Sequence, residues 1–189
     1  AFLDLLPMPD SLIKLRTKRS ALMTKNANRR TEPAMIRVLV YCMGNICRSP
    51  MAEAVMAQRI REAGLSHLIE VDSAGTGGWH AGETAHPRTL ALLRQHSIPY
   101  DGRARQIRRQ DLDEFDYVLA MDADNLSHAA RWEGATRPQL FLSYANQAGT
   151  VREREVPDPY YTGEYERVYD LVTRGCDALL AAIRAEHGI

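Results

Sequence analysis

The sequence predicts an α/β fold: a three-layer, four-stranded, open parallel sheet with helices on both faces. Three observations predict it. Short apolar runs rich in β-branched residues alternate with segments of helical periodicity. The first of these runs is almost continuously apolar, as expected of a parallel strand buried on both faces. Turn and cap residues punctuate the alternation, as they do where strands and helices follow one another.

The elements follow in order. Ile36 to Tyr41 (IRVLVY) forms the first strand. A loop leads to Ser49-Pro50, which opens the first helix, because the missing N–H of Pro50 costs nothing at the first helical position. Ala52, Val55, Met56, Ile60 and Ala63 make one apolar face of that helix, and Gly64 ends it. Leu68 to Ser73 (LIEVDS) is the second strand, and Pro87 to His96 the second helix, with Leu90, Leu92 and Leu93 as its apolar positions. Asp116 to Met121 (DYVLAM) is the third strand and Gln139 to Leu142 a short fourth. Glu164 to Glu186 is a long last helix with the stripe Val168, Leu171, Val172, Leu179, Ala182 and Ile183. Such sheets place their sites outside the carboxyl ends of the strands, near the point where strand order reverses. The loop after the first strand lies there.

Composition narrows the function classes. A chain of 189 residues suffices for one domain with a sizeable core. Its formal net charge of +0 gives no reason to expect a nucleic-acid partner. No run approaches the ~18 apolar residues of a membrane-spanning helix, so no membrane partner is expected. Three cysteines, an odd number, do not suggest a disulfide scaffold; they fit a reducing, cytoplasmic setting in which a thiol serves as a reagent. No Cys/His cluster has zinc spacing, so no metal site is expected.

Residues 1–34 differ from the rest: they hold seven of the 24 basic residues, including every lysine, against three of the 24 acidic ones. Their short apolar run precedes the basic residues, the reverse of a secretory signal. They read as a disordered basic arm, a weak targeting segment, or residues upstream of the true start. Met35, directly before the first strand, favours the last. The folded domain is expected over residues 35–189.

The chemistry concentrates in the loop Cys42-Met43-Gly44-Asn45-Ile46-Cys47-Arg48-Ser49. A phosphate monoester needs an anion cradle, a nucleophile and an acid for the leaving oxygen. A tight loop running into a helix N-terminus supplies the cradle through converging N–H groups and the helix dipole. Gly44 and Asn45 tolerate the backbone angles it requires. Arg48 can grip two phosphate oxygens with its planar fork. The same positive field favours the thiolate of Cys42, the nucleophilic form, and Ser49 can donate a hydrogen bond to that sulfur. Cysteine and arginine separated by five residues is a weak signal alone; its place between an apolar strand and a Ser-Pro helix start strengthens it. A Walker loop is excluded, since no GK[ST] follows.

Four segments, VLVYCMGNICRSPMAEA, DSAGTGGWHAG, FDYVLAMDADNL and VPDPYYTGEYERVYDLV, resemble in family order the low-molecular-weight protein tyrosine phosphatases, over about Met35 to Ala185. The resemblance implies a flavodoxin- or Rossmann-like sheet of the phosphotyrosine phosphatase I type, and a cysteine-dependent protein-tyrosine phosphatase. It implies Cys42 as nucleophile, Arg48 as phosphate clamp and Asp158 as general acid and then base. It implies that Asn45, Ser49 and Ser73 brace the loop, and that Trp79, Tyr160 and Tyr161 wall a slot for an aryl ring. Ile46 lines that slot; relatives with arginine-phosphatase activity tend to carry threonine there, so Ile46 points to phosphotyrosine. The expected partner is a phosphotyrosine protein or small aryl phosphate, met by a monomer or weak dimer. No cofactor is implied, since Arg48 and the loop amides supply the positive charge. One position departs from the pattern: Gly102 stands where the bracing network ordinarily has a histidine.

Other residues keep two readings. Asp158, between Pro157 and Pro159, is by itself an ordinary turn former. Cys47 is either a small buried residue or a redox partner of Cys42. Cys176 falls on the stripe of the last helix and reads as core. His80 and His86 read as surface or structural, and Arg103, Arg105, Arg108 and Arg109 as a solvated face. Two other functions compete. An arsenate reductase with an internal thiol relay needs further cysteines, and residues 48–175 contain none, which leaves one using an external thiol. A non-catalytic phosphate-binding module is disfavoured because all three chemical roles are filled.

Overall fold

Four apolar runs build the sheet in the computed structural model, which describes residues 35–189; the expectations for residues 1–34 lie outside the described residues. The strands are β1 (Ile36–Cys42), β2 (Ile69–Gly75), β3 (Tyr117–Ala120) and β4 (Gln139–Leu140). They lie in the order β2-β1-β3-β4 and every pairing is parallel. The helices are α1 (Arg48–Glu62), α2 (Pro87–Gln95), α3 (Asp111–Glu114), α4 (Ala123–Ala130), α5 (Ser143–Gln147), α6 (Pro159–Thr162) and α7 (Tyr165–His187).

Side-chain alternation along β1 divides the core into two layers. Val38, Val40 and Cys42 enter one layer with Val55 and Met56 of α1 and Val172, Leu179 and Ile183 of α7. Leu39 and Tyr41 enter the other with Ile107, Leu112 and Ala129. Both faces of β1 are thus covered, which is why its sequence is apolar nearly throughout. Each fully buried Leu, Ile or Val contributes roughly 1.5–3 kcal/mol through burial. From β1 the chain passes to β2 on one side, then crosses to β3 on the other. The carboxyl end of β1 therefore opens at the reversal of strand order, and Cys42 sits at that end, in register with Gly75.

The differences from the sequence reading have local causes. The face of α1 is wider than expected, since Met51 and Ala54 are buried too, while Ala63 is exposed at the C-cap. β4 keeps only two ladder residues; Phe141 and Leu142 leave the sheet yet stay buried. The helices α3 to α6 span four to eight residues, too few for a periodic signal. Cys176 is fully buried on α7, in keeping with its place on the stripe. Among the described residues no helix is long and apolar enough to cross a membrane.

Gly175 lets α7 approach the sheet: a Cβ there would lie 2.3 Å from Cε1 of the buried Phe141 ring. In an exposed helix Gly→Ala gains about 1 kcal/mol, but overpacking a core costs about 1–3 kcal/mol. The rigid ring makes the clash prevail, so Gly175→Ala is expected to destabilise the fold by about 1 kcal/mol, lowering the thermal midpoint by roughly 2–4 °C. An unchanged or raised midpoint contradicts this packing.

Candidate active site

The loop between β1 and α1 turns its carbonyls outward. Cys42 O accepts from Thr76 N (2.8 Å), Met43 O from Gly77 N (2.9 Å) and Ile46 O from His86 N (2.7 Å). Among the described residues, the N–H groups of Gly44, Ile46 and Cys47 donate to no protein group. Buried backbone donors normally find partners, so this loop retains the donor set an anion requires. Asn45 makes the reversal with φ of 55°, in the left-handed region that asparagine tolerates. Gly75 lets β2 pass close behind, because a Cβ there would lie 2.9 Å from Met43 O.

The sulfur of Cys42 is buried within hydrogen-bonding reach of two donors: Asn45 N donates to it at 3.3 Å and Ser49 Oγ lies 3.1 Å away. Asn45 Nδ2 donates to Ser49 Oγ (2.9 Å) and Ser73 Oγ (2.8 Å), and Asn45 Oδ1 accepts from Arg105 N (2.9 Å). Ser73 Oγ donates to Glu53 Oε2 (2.6 Å), which also accepts from Tyr100 OH (2.8 Å). The three support residues named from sequence thus lie together beneath the loop.

Arg48 opens α1 with its side chain 2% exposed. Its guanidinium pairs with Asp122 Oδ2 (2.5 Å) and Asp158 Oδ2 (2.7 Å) and donates to Val156 O (3.1 Å), while Nε is buried without a partner. Burial pulls the Arg48 pKa down, but Cys42, Asp158 and Asp122 together outweigh it and leave it above its usual value. Asp158 N-caps α6, accepting from Tyr160 N at 3.1 Å.

Cys42, Arg48 and Asp158 line one cavity of about 210 Å³ with Met43, Gly44, Ile46 and Cys47. Trp79, Tyr160 and Tyr161 form its rim, being 64%, 60% and 74% exposed. Cys47 also faces Tyr165 OH at 3.5 Å, and burial, its largest influence, pushes its thiol up to about 11.

His80 lines the cavity and pairs through Nδ1 with the exposed Glu83 at 2.8 Å, a structural contact at the surface. One expectation needs correction. Arg105 is not part of a solvated face, since it pairs with Asp72 (2.8 Å) and the buried Asp111 (3.0 Å); its run of neighbouring arginines conceals that in the sequence. His86 has the structural role expected, accepting from Arg88 N at the start of α2. The sequence reading does not single out Asp122, Glu53 or Tyr100. A carboxylate just past a buried strand is the available signal for Asp122; nothing local marks the other two.

Fold and site together define a class: an α/β protein whose first strand delivers a thiol to an anion-receiving loop. The profile of the low molecular weight phosphotyrosine protein phosphatase family matches residues 37–188. The chain is 46% identical over 156 residues to the low molecular weight protein-tyrosine-phosphatase YfkJ of Bacillus subtilis, covering 80% of this chain and 98% of that protein. It is 43% identical over 148 residues to PtpA of Staphylococcus aureus, covering 77% and 92%. The crystal structure of YfkJ matches with a TM-score of 0.77 at 44% identity, over 82% of this chain and 98% of that one. That of a Drosophila arginine phosphatase matches with a TM-score of 0.71 at 32% identity, over 79% and 98%. The chain belongs to the low molecular weight phosphotyrosine protein phosphatase family, and it is a protein-tyrosine phosphatase, a phosphoric monoester hydrolase.

Burial, the largest influence, raises the Glu53 pKa from 4.5, and the hydrogen bonds from Ser73 and Tyr100 only partly oppose it. A carboxyl with a raised folded-state pKa binds more protons folded than unfolded just above pH 4.5, so stability falls there as pH rises. Glu53→Gln removes this group's contribution, and its thermal midpoint should decline less steeply than the wild type's from pH 4.5 upward. Parallel declines would contradict a raised value.

Proposed function

We propose that residues 35–189 hydrolyse phosphotyrosine, in proteins or as small aryl phosphates, in two steps through a cysteinyl-phosphate on Cys42. The observation carrying this reading is the buried Cys42 sulfur in one cavity with Arg48, Asp158 and the unpaired loop N–H groups. In the first step the thiolate attacks phosphorus opposite the ester oxygen. The S–P bond forms, the P–O bond to the aryl group breaks, and Asp158 gives its proton to the leaving oxygen. In the second, water attacks phosphorus, Asp158 takes its proton, and Cys42 departs as thiolate with a hydrogen bond from Ser49. Arg48 and the loop N–H groups hold the equatorial oxygens throughout.

Asp158 is bound to Arg48 in the free protein. An arriving phosphate competes for that guanidinium, whose Nε is already free, and so releases Asp158, which takes up a proton from solvent and turns toward the leaving oxygen. Asn45, Ser49 and Ser73 hold the loop in shape. The exposed rings of Trp79, Tyr160 and Tyr161, with Ile46 below, suit an aryl group standing between the rim and the phosphate. Every catalytic group comes from one chain, so the working unit is a monomer, or at most a weak dimer. The free thiols suit the reducing cytoplasm.

Turnover of aryl and alkyl phosphates by three proteins tests the assignments. Cys42→Ser should lose at least about 10⁴-fold in kcat. Asp158→Ala should lose about 10²–10³-fold on phosphotyrosine and roughly tenfold on para-nitrophenyl phosphate, whose leaving group needs little protonation. Retained turnover in Cys42→Ser contradicts the nucleophile, and equal losses on both esters in Asp158→Ala contradict the general acid.

A further inference from the structure

Tyr100 has no place in the two steps above, yet its hydroxyl ends a chain of hydrogen bonds that begins at Cys42. Sulfur meets Ser49 Oγ (3.1 Å), and Asn45 Nδ2 bridges Ser49 and Ser73 (2.9 and 2.8 Å). Glu53 Oε2 accepts from both Ser73 (2.6 Å) and Tyr100 (2.8 Å). Gly102 makes the last contact possible: a Cβ there would lie 2.4 Å from the Tyr100 hydroxyl oxygen. The glycine found where a histidine was expected is thus the space that the phenol occupies.

The direction of each bond is forced by the next. Ser73 has one hydroxyl proton and Glu53 takes it, so toward Asn45 it can only accept. Asn45 must then turn its NH₂ to both serines and its oxygen to Arg105 N. Ser49, already accepting from Asn45, has its own proton free for sulfur. Ala74 O, 3.2 Å away, competes for that proton, but a thiolate is the stronger acceptor because it is charged.

We propose that Tyr100 is a positioning residue for the reaction: by holding Glu53 as an acceptor, it fixes the direction of the chain that ends in the Ser49 hydrogen bond to Cys42. This rests on Cys42 being the nucleophile. Without the phenol, Glu53 keeps its burial and loses one of the bonds favouring its charged form. The phenol donates to Oε2 and so keeps the proton off that atom; once it is gone, a proton taken up on Oε2 would be donated to Ser73, Ser73 would turn its own proton on the Asn45 NH₂, and two donors would face each other. The amide turns, its bond from Arg105 is lost, and Ser49 loses the donor that orients it. Asp72 and Arg105, the other charges acting on Glu53, oppose each other in sign.

The test is the pH dependence of Cys42 alkylation by iodoacetamide, followed on the Cys42 peptide by mass spectrometry, with kcat and KM for para-nitrophenyl phosphate. Tyr100→Phe should raise the midpoint of the alkylation profile by about half to one pH unit, the size of one ordinary net hydrogen bond, because the Ser49 bond is weakened rather than removed. It should lower kcat by roughly three- to tenfold and leave KM nearly unchanged. Gly102→Ala keeps every member of the chain but displaces the hydroxyl, and should shift the midpoint in the same direction. Because Tyr100 acts through Glu53, Tyr100→Phe should add little in a Glu53→Gln background. A midpoint unmoved in both Tyr100→Phe and Gly102→Ala, or shifts that add fully with Glu53→Gln, overturns the role of Tyr100. A wild-type Cys42 that resists alkylation at neutral pH overturns it together with the nucleophile assignment.

Discussion

The site depends on a guanidinium buried at the carboxyl end of the central strand. Arg48 is 2% exposed and is held by Asp122, Asp158 and Val156 O, with the sulfur of Cys42 in the same cavity. Removing one partner from such a buried pair costs about 3–5 kcal/mol, because the remaining charge stays desolvated. The charge must therefore be matched at every stage. In the free protein two carboxylates match it. In the proposed reaction a phosphate dianion takes the place of one of them, and the displaced carboxylate, Asp158, picks up a proton from solvent to serve as the acid. On that reading binding and acid catalysis are coupled through one side chain.

The fold makes that burial possible. With strand order β2-β1-β3-β4, β1 is covered on both faces, and its last residue emerges where the neighbouring connections diverge. The start of α1 then delivers Arg48 and Ser49 to the same point, while β3 ends beside it and hands over Asp122, which also caps α4. Ser73 arrives from β2, and Asp158 from the start of α6. Each group sits near the end of a regular element, so the packing of strands and helices fixes the geometry of the site.

Much of this is legible in the sequence, for reasons that differ by residue. The four strands and the helices α1, α2 and α7 announce themselves by apolar pattern. The loop announces itself by a cysteine and an arginine separated by five residues, placed between an apolar strand and a Ser-Pro helix start. Asp158 is legible only beside that loop, because Asp-Pro alone marks a turn. Glu53 and Tyr100 are not legible, since their partners are 20 and 47 residues away and the hydrogen bonds exist only once β2 and α1 have packed. Arg105 misleads for the related reason that an arginine cluster in a sequence does not reveal which member turns inward. Gly102 stands out as a departure, but its meaning requires knowing that a phenol fills the space.

The proposed reaction turns on a covalent bond between Cys42 sulfur and phosphorus. Rapid acid quench of the wild-type protein turning over para-nitrophenyl phosphate, followed by peptide mapping, tests it most directly. Phosphate found on the Cys42 peptide during turnover, and absent once substrate is exhausted, is the predicted result. Continued turnover with no phosphate on Cys42, or with phosphate on another residue, contradicts it.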